Sequence, residues 1–238
     1  SGSAVLSLMG PGSRDILQPL TEGDLSNAAF PFGTAKPVFI AGCPVLALRV
    51  TYVGELGWEL HMPTEVAITV YEALMASGQI SNAGYRAIET LRLEKGYRAW
   101  GSDIGPDHTP VEAGLAWAVK MKSGLPFLGR DAIAAQLAAQ PLGGVKKRLA
   151  TFSAAPDVIL LGRETIYRNG ERVGWLSSGG YGHTIGQAIG MGYIRNRDGV
   201  TEDFIHSGSY ELEVASERVP AKVHLTALYD PQNLCVKS

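Results

Sequence analysis

Apolar and polar positions follow two textures along the chain. In the first, the apolar run Val5 to Met9 ends at Gly10-Pro11 and predicts a strand. Ser13 then stands where a helix N-cap is expected, ahead of Ile16, Leu17 and Leu20 on one helical face. Pro44 to Val53 and Trp58 to Met62 predict two more strands, joined as a hairpin by the turn Gly54-Glu-Leu-Gly57. Thr64, after Pro63, is the expected cap of a helix that carries Val66, Val70, Tyr71 and Leu74 to a stop at Gly78; a second helix is expected around Ile88, Leu91 and Leu93. Only Ser1-Gly-Ser-Ala4 precedes the first strand, so the chain is expected to begin inside a larger fold or to lack preceding segments.

From about Leu149 short β-rich runs separated by Gly, Asn and Ser replace the helical patterns. Glu164 to Arg168 and Arg172 to Leu176 flank Asn169-Gly170, a dipeptide suited to a type I′ turn because both turn residues take positive φ. Met191 to Ile194, Ser209 to Val214 and Val219 to Leu228 read as further strands of a small barrel. The pattern thus predicts an α+β domain over residues 1–145 and a β-barrel domain over residues 146–238, with no internal repeat.

Composition narrows the chemistry. With 238 residues, 45% hydrophobic and 18% charged, the chain can build one large or two small cores. No apolar run nears the roughly 20 residues of a membrane-spanning helix, and the first residues lack a signal-peptide pattern. A cytoplasmic location, or the mitochondrial matrix in a eukaryote, is expected, with no membrane partner. The net charge of -2 and the scattered Lys and Arg argue against a nucleic-acid partner. Cys43 and Cys235 leave a disulfide open, but a reduced compartment is the simpler reading. The histidines His61, His108, His183, His206 and His224 are too dispersed to predict a metal site.

The most informative stretch is Arg49-Val-Thr-Tyr52-Val-Gly54-Glu-Leu-Gly57-Trp-Glu59-Leu60. On a hairpin, strand alternation lets Tyr52 and Glu59 converge on one cavity, and the turn glycines allow a ligand or backbone to come close. A carboxylate there suits a pterin or guanidine-like edge, whose adjacent N–H donors meet two acceptor oxygens. A solvated hairpin with an exposed Glu fits the same pattern equally well.

This stretch resembles the Gly-Tyr-Thr-Gly-Glu-x-Gly-x-Glu motif of the aminomethyltransferase (glycine-cleavage T-protein) family, in the form carried by the C-terminal regions of dimethylglycine and sarcosine dehydrogenases. Leu8-Met-Gly-Pro11 with Ser13-Arg14, Leu91-Arg-Leu-Glu-Lys-Gly-Tyr-Arg-Ala-Trp-Gly101, Pro110-Val-Glu-Ala-Gly-Leu115 and Phe127-Leu-Gly-Arg130 extend the likeness over the whole chain. The resemblance implies a folate-binding aminomethyltransferase-type domain, incomplete at its N-terminus, followed by a small C-terminal β-barrel. It assigns to Glu59 the grip on the pterin of tetrahydrofolate and to Tyr52 a place alongside it. Trp117 falls where an aromatic residue lies near the folate, and an indole can stack on a flat ring, although a core tryptophan fits as well. Arg49 and Trp100 are further candidates for the same site, each with a structural role as the alternative. Ser177-Ser-Gly-Gly-Tyr181-Gly-His183-Thr is a glycine-rich loop without phosphate-cradle spacing; Tyr181 or His183 reaching the cofactor tail competes with plain turn geometry.

Two departures stand out. Ile88 occupies the place of an Arg that holds the glutamate tail in T-proteins, with Arg86 offset from it. The family's catalytic Asp belongs to a segment upstream of Leu8, so no catalytic residue is assigned. The resemblance implies capture of a carbon from a small methylated amine (dimethylglycine, sarcosine or glycine-derived) as 5,10-methylenetetrahydrofolate, with little turnover expected of the isolated chain. FAD enters only if another domain or subunit, such as a flavin-dependent dehydrogenase, supplies its site, because no βαβ unit with GxGxxG occurs. The rivals are a non-catalytic folate-binding protein of the iron-sulfur assembly or tRNA-modification type, disfavoured by Pro126 in place of a Cys, and a folate-dependent S-methyl demethylase.

Overall fold

The computed structural model describes residues 2–139 and 145–238. They form two compact units, Ser1–Leu91 with Asp230–Ser238 and Arg92–Tyr229. The first holds β1 (Ser3–Met9), α1 (Ser13–Leu17), β2 (Ala35–Ile40), β3 (Cys43–Leu48), β4 (Gly57–Pro63) and α2 (Ala67–Met75). The division falls within α3 (Tyr85–Glu94). The second unit holds α4 (Arg130–Ala138), β5 (Val145–Ala154), β6 (Thr165–Arg168), β7 (Glu171–Gly182), β8 (Gln187–Val200), α5 (Glu202–His206), β9 (Tyr210–Val214) and β10 (Glu217–His224). A short α6 (Leu234–Lys237) returns to the first.

The first unit is built on an antiparallel four-stranded sheet in the order β1-β4-β3-β2. Alternation turns Trp58, Leu60 and Met62 of β4, Val45 and Ala47 of β3 and Leu8 of β1 to one face, where they pack with Leu17, Leu25, Phe30, Val70 and Leu74. Burying each large side chain of this set contributes about 1.5–3 kcal/mol. Gly57 is required where β4 meets β1, since a Cβ there would lie 2.3 Å from Met9 Sδ and 2.7 Å from the Leu8 carbonyl oxygen.

Three local expectations are corrected. The strand expected over Pro44 to Val53 is β3, and it stops at Leu48 because residues 49–56 turn away as a loop. Thr51 Oγ1 accepts the backbone N–H of Val53 and Gly54, and Gly54 takes φ 84°, a side-chain-capped turn that competes with the strand ladder. Ser13 is the first residue of α1 and not its cap; its buried hydroxyl donates to the Leu56 carbonyl at 3.1 Å. Thr64 opens a 3₁₀ turn, Thr64–Val66, and the N-cap position of α2 falls on Val66.

In the second unit six strands close into a barrel in the order β10-β5-β8-β7-β6-β9. Phe152, Ile166, Leu176, Ala188, Ile194 and Leu212 are among the residues filling it. Asn169 and Gly170 have φ of 51° and 85°, as the β6–β7 hairpin turn demands. The expected α+β architecture with a C-terminal barrel is therefore what the chain forms. The sequence reading missed α5, which is capped by Thr201 accepting from the Phe204 N–H.

Candidate functional site

The uncovered face of the first unit's sheet carries the side chains that alternate with the core. On β4 these are Glu59 and His61, two residues apart and hence on one face. Glu59 stands between Ser7 of β1 and Leu48 of β3, and His61 between Val5 and Leu46. His61 Nε2 lies 3.3 Å from Glu59 Oε2, and the two side chains remain 36% and 33% exposed. Glu59 is thus neither a freely solvated carboxylate nor a buried one. A shallow trough of about 620 Å³ on this face is lined by His61, Leu46, Phe39, Pro37 and Pro44 among others. A carboxylate in a half-apolar setting with an oxygen free to accept recognises ligand N–H donors more strongly than one in bulk water.

Tyr52 sits half-buried in the loop of residues 49–56 that leads into β4. The loop is anchored where the Leu56 carbonyl accepts both Gly10 N–H and the Ser13 hydroxyl.

Arg49 lies on the other side of the sheet. It is 1% exposed, stands over the core ring of Trp58, and donates to the backbone oxygens of Phe30 at 2.6 Å and Ser238 at 2.8 Å. Burial, helped by nearby Arg14, holds its pKa below the usual arginine range. The structure therefore brings Glu59 together with His61, and ties Arg49 into the core behind them.

Trp100 and Trp117 belong to the second unit and are 73% and 79% exposed. Trp117 lies in a 3₁₀ turn, Ala116–Ala118, so the core alternative for this residue does not apply. Each indole presents a face on which a flat ring can stack. Tyr181 and His183 lie at the β7–β8 end and pack edge to face on each other. Cys43 and Cys235 are not joined in a disulfide. Among the described residues no group of His, Cys, Asp and Glu is placed to hold a metal ion, and no helix is long and apolar enough to cross a membrane.

Sequence reasoning missed a buried polar network in the second unit. Asp103, fully buried, takes Arg92 Nη1 and the Ala99 N–H on Oδ2, and the hydroxyls of Ser177 and Ser178 on Oδ1. Arg92 Nη2 in turn donates to Ser178 Oγ at 2.8 Å. Two residues on, buried Glu94 accepts the Thr184 N–H at 2.6 Å and so fixes the β7–β8 turn. The alternating charges within Leu91-Arg92-Leu93-Glu94 were the available signal, since two charges flanking a buried leucine at a helix end need partners.

Comparison with known proteins agrees with this architecture. The model described as GCVT N-terminal domain matches residues 1–123, and that of the glycine cleavage T-protein C-terminal barrel domain matches residues 147–230. The chain belongs to the glycine cleavage T-protein family. Within that family it is 46% identical over 238 residues to the mitochondrial sarcosine dehydrogenase of Mus musculus, covering 98% of this chain and 26% of that protein. It is 40% identical over 194 residues to the mitochondrial dimethylglycine dehydrogenase of Homo sapiens, covering 80% and 22%. The chain spans roughly a quarter of the length of these dehydrogenases. Its fold matches the crystal structure of glycine cleavage system aminomethyltransferase T from Bartonella henselae with a TM-score of 0.77 at 24% identity, over 93% of this chain and 58% of that one.

Proposed function

We propose that this chain is the tetrahydrofolate-binding part of a one-carbon-transfer enzyme that captures a carbon from a methylated amine as 5,10-methylenetetrahydrofolate. The observation that carries the reading is Glu59, a half-exposed carboxylate on the open face of the sheet, one of whose oxygens meets His61. Such a group fits the adjacent N–H donors of a pterin, because a carboxylate offers about four lone-pair sites on two oxygens. Tetrahydrofolate supplies the nitrogens that accept the carbon. Glu59 orients the ring that bears them, Tyr52 borders it from the loop of residues 49–56, and Arg49 supports the sheet from the core side. This is catalysis by positioning, in which holding acceptor and donor in register replaces a bimolecular encounter.

The amine is sarcosine, dimethylglycine or a glycine-derived group, a choice supported by the names of the relatives. Its oxidation belongs to a flavin held by another domain or subunit. In a eukaryotic host the mitochondrial matrix is the expected location. Titration with tetrahydrofolate tests the reading: Glu59→Gln is expected to weaken binding about 10- to 100-fold, the worth of a hydrogen bond to a charged group. Unchanged affinity would remove Glu59 from the site.

A further inference from the structure

We propose that His61 is a positioning residue for Glu59, fixing the carboxylate for the ligand's donor edge; this rests on the assignment of Glu59 to the pterin. Both side chains project from β4 on the same face, with Nε2 and Oε2 3.3 Å apart. The cross-strand neighbours of His61, Val5 and Leu46, are apolar, and those of Glu59 are Ser7 and Leu48. Among the described residues His61 is the only side chain that the structure sets against the Glu59 carboxylate. A glutamate on a strand otherwise keeps several rotamers, and ordering it on binding costs affinity. A donor on one oxygen removes part of that cost in advance. The imidazole itself borders the shallow trough formed with Leu46, Phe39 and Pro37.

The role differs from a merely structural one in two respects that a titration reads. It needs a hydrogen-bond donor at position 61, and it needs the carboxylate at position 59. Tetrahydrofolate is therefore titrated into the wild-type chain and into His61→Ala, His61→Asn, Glu59→Gln and the Glu59→Gln/His61→Ala double variant, with folding of each checked by circular dichroism. The expected results are a roughly three- to ten-fold loss for His61→Ala, recovery to within about two-fold for His61→Asn, and no further loss when His61→Ala is added to Glu59→Gln. If Glu59→Gln weakens binding while His61→Ala does not, or if His61→Ala costs as much in the Glu59→Gln background as in the wild type, the positioning role falls and the folate site stands. If Glu59→Gln leaves affinity unchanged, the site assignment itself falls and the inference with it.

Discussion

Replacing Asp103 with Asn keeps the volume of the side chain and deletes its charge, so the Arg92 guanidinium, 1% exposed, loses the Asp103 carboxylate. The carboxylate now holds four donors, from Arg92, Ala99, Ser177 and Ser178. Asn offers one acceptor oxygen in their place and brings two N–H donors of its own, so part of the network meets donor against donor. Breaking a buried pair in this way costs about 3–5 kcal/mol. With an m-value of about 2 kcal/mol/M, the urea midpoint of the second unit should fall by about 1.5–2.5 M. Tryptophan fluorescence is a suitable probe, because Trp100, Trp117 and Trp175 lie in that unit and Trp58 in the other. The paired replacement Arg92→Met with Asp103→Leu should recover much of the loss, since it removes both charges. A cost below about 1 kcal/mol for Asp103→Asn, or a double variant no better than the single one, would refute the claim that this pair is held desolvated.

Three further outcomes are expected. Gly192→Ala should cost at least about 1–3 kcal/mol in a thermal melt, because its Cβ would lie 2.4 Å from the Trp175 carbonyl oxygen and 2.9 Å from Leu176 Cα, backbone that cannot step aside. His224 has its pKa lowered below 6.5 by burial and then by Lys222, with Ser153 Oγ 2.9 Å from Nε2. In the window below 6.5 the unfolded chain therefore binds more protons, so this residue's contribution to stability is complete above 6.5 and is lost as pH falls toward the folded value. His224→Asn should flatten the pH dependence of the melting temperature in that window, and an unchanged slope would contradict the assignment. Thr51→Val removes the acceptor of two backbone N–H groups and should cost about 1 kcal/mol while weakening tetrahydrofolate binding through the Tyr52 loop, read by calorimetry on the same sample.

The barrel was legible because its signals are local: Asn169-Gly170 fixes a hairpin by turn chemistry, and the β-rich runs around it alternate. The same holds for β4, whose apolar residues Trp58, Leu60 and Met62 repeat with a period of two, while β1 shows as a short apolar run closed by Gly10-Pro11. What escaped notice was side-chain hydrogen bonding to the backbone and between buried polar groups, some of it between residues distant in sequence. Thr51 ends β3 by bonding backbone that a strand pattern treats as paired, and Ser13, read as a cap, is instead held by Leu56, 43 residues on. The partnership of Arg92 with Asp103 and Ser178 joins a helix end to a barrel strand across 86 residues, a span no local pattern reports. At the candidate site Glu59 lies on β4, the strand expected over Trp58 to Met62, whereas Tyr52, expected on the other arm of the hairpin, lies in the loop of residues 49–56. His61 could have been found beside Glu59, since any residue two along a strand shares its face.

The most direct test is a structure of the intact protein with tetrahydrofolate bound. The account predicts the amino-bearing edge of the pterin within hydrogen-bonding distance of the Glu59 side chain, with His61 still on one of its oxygens. A pterin lodged elsewhere, with residue 59 turned to water, would contradict it.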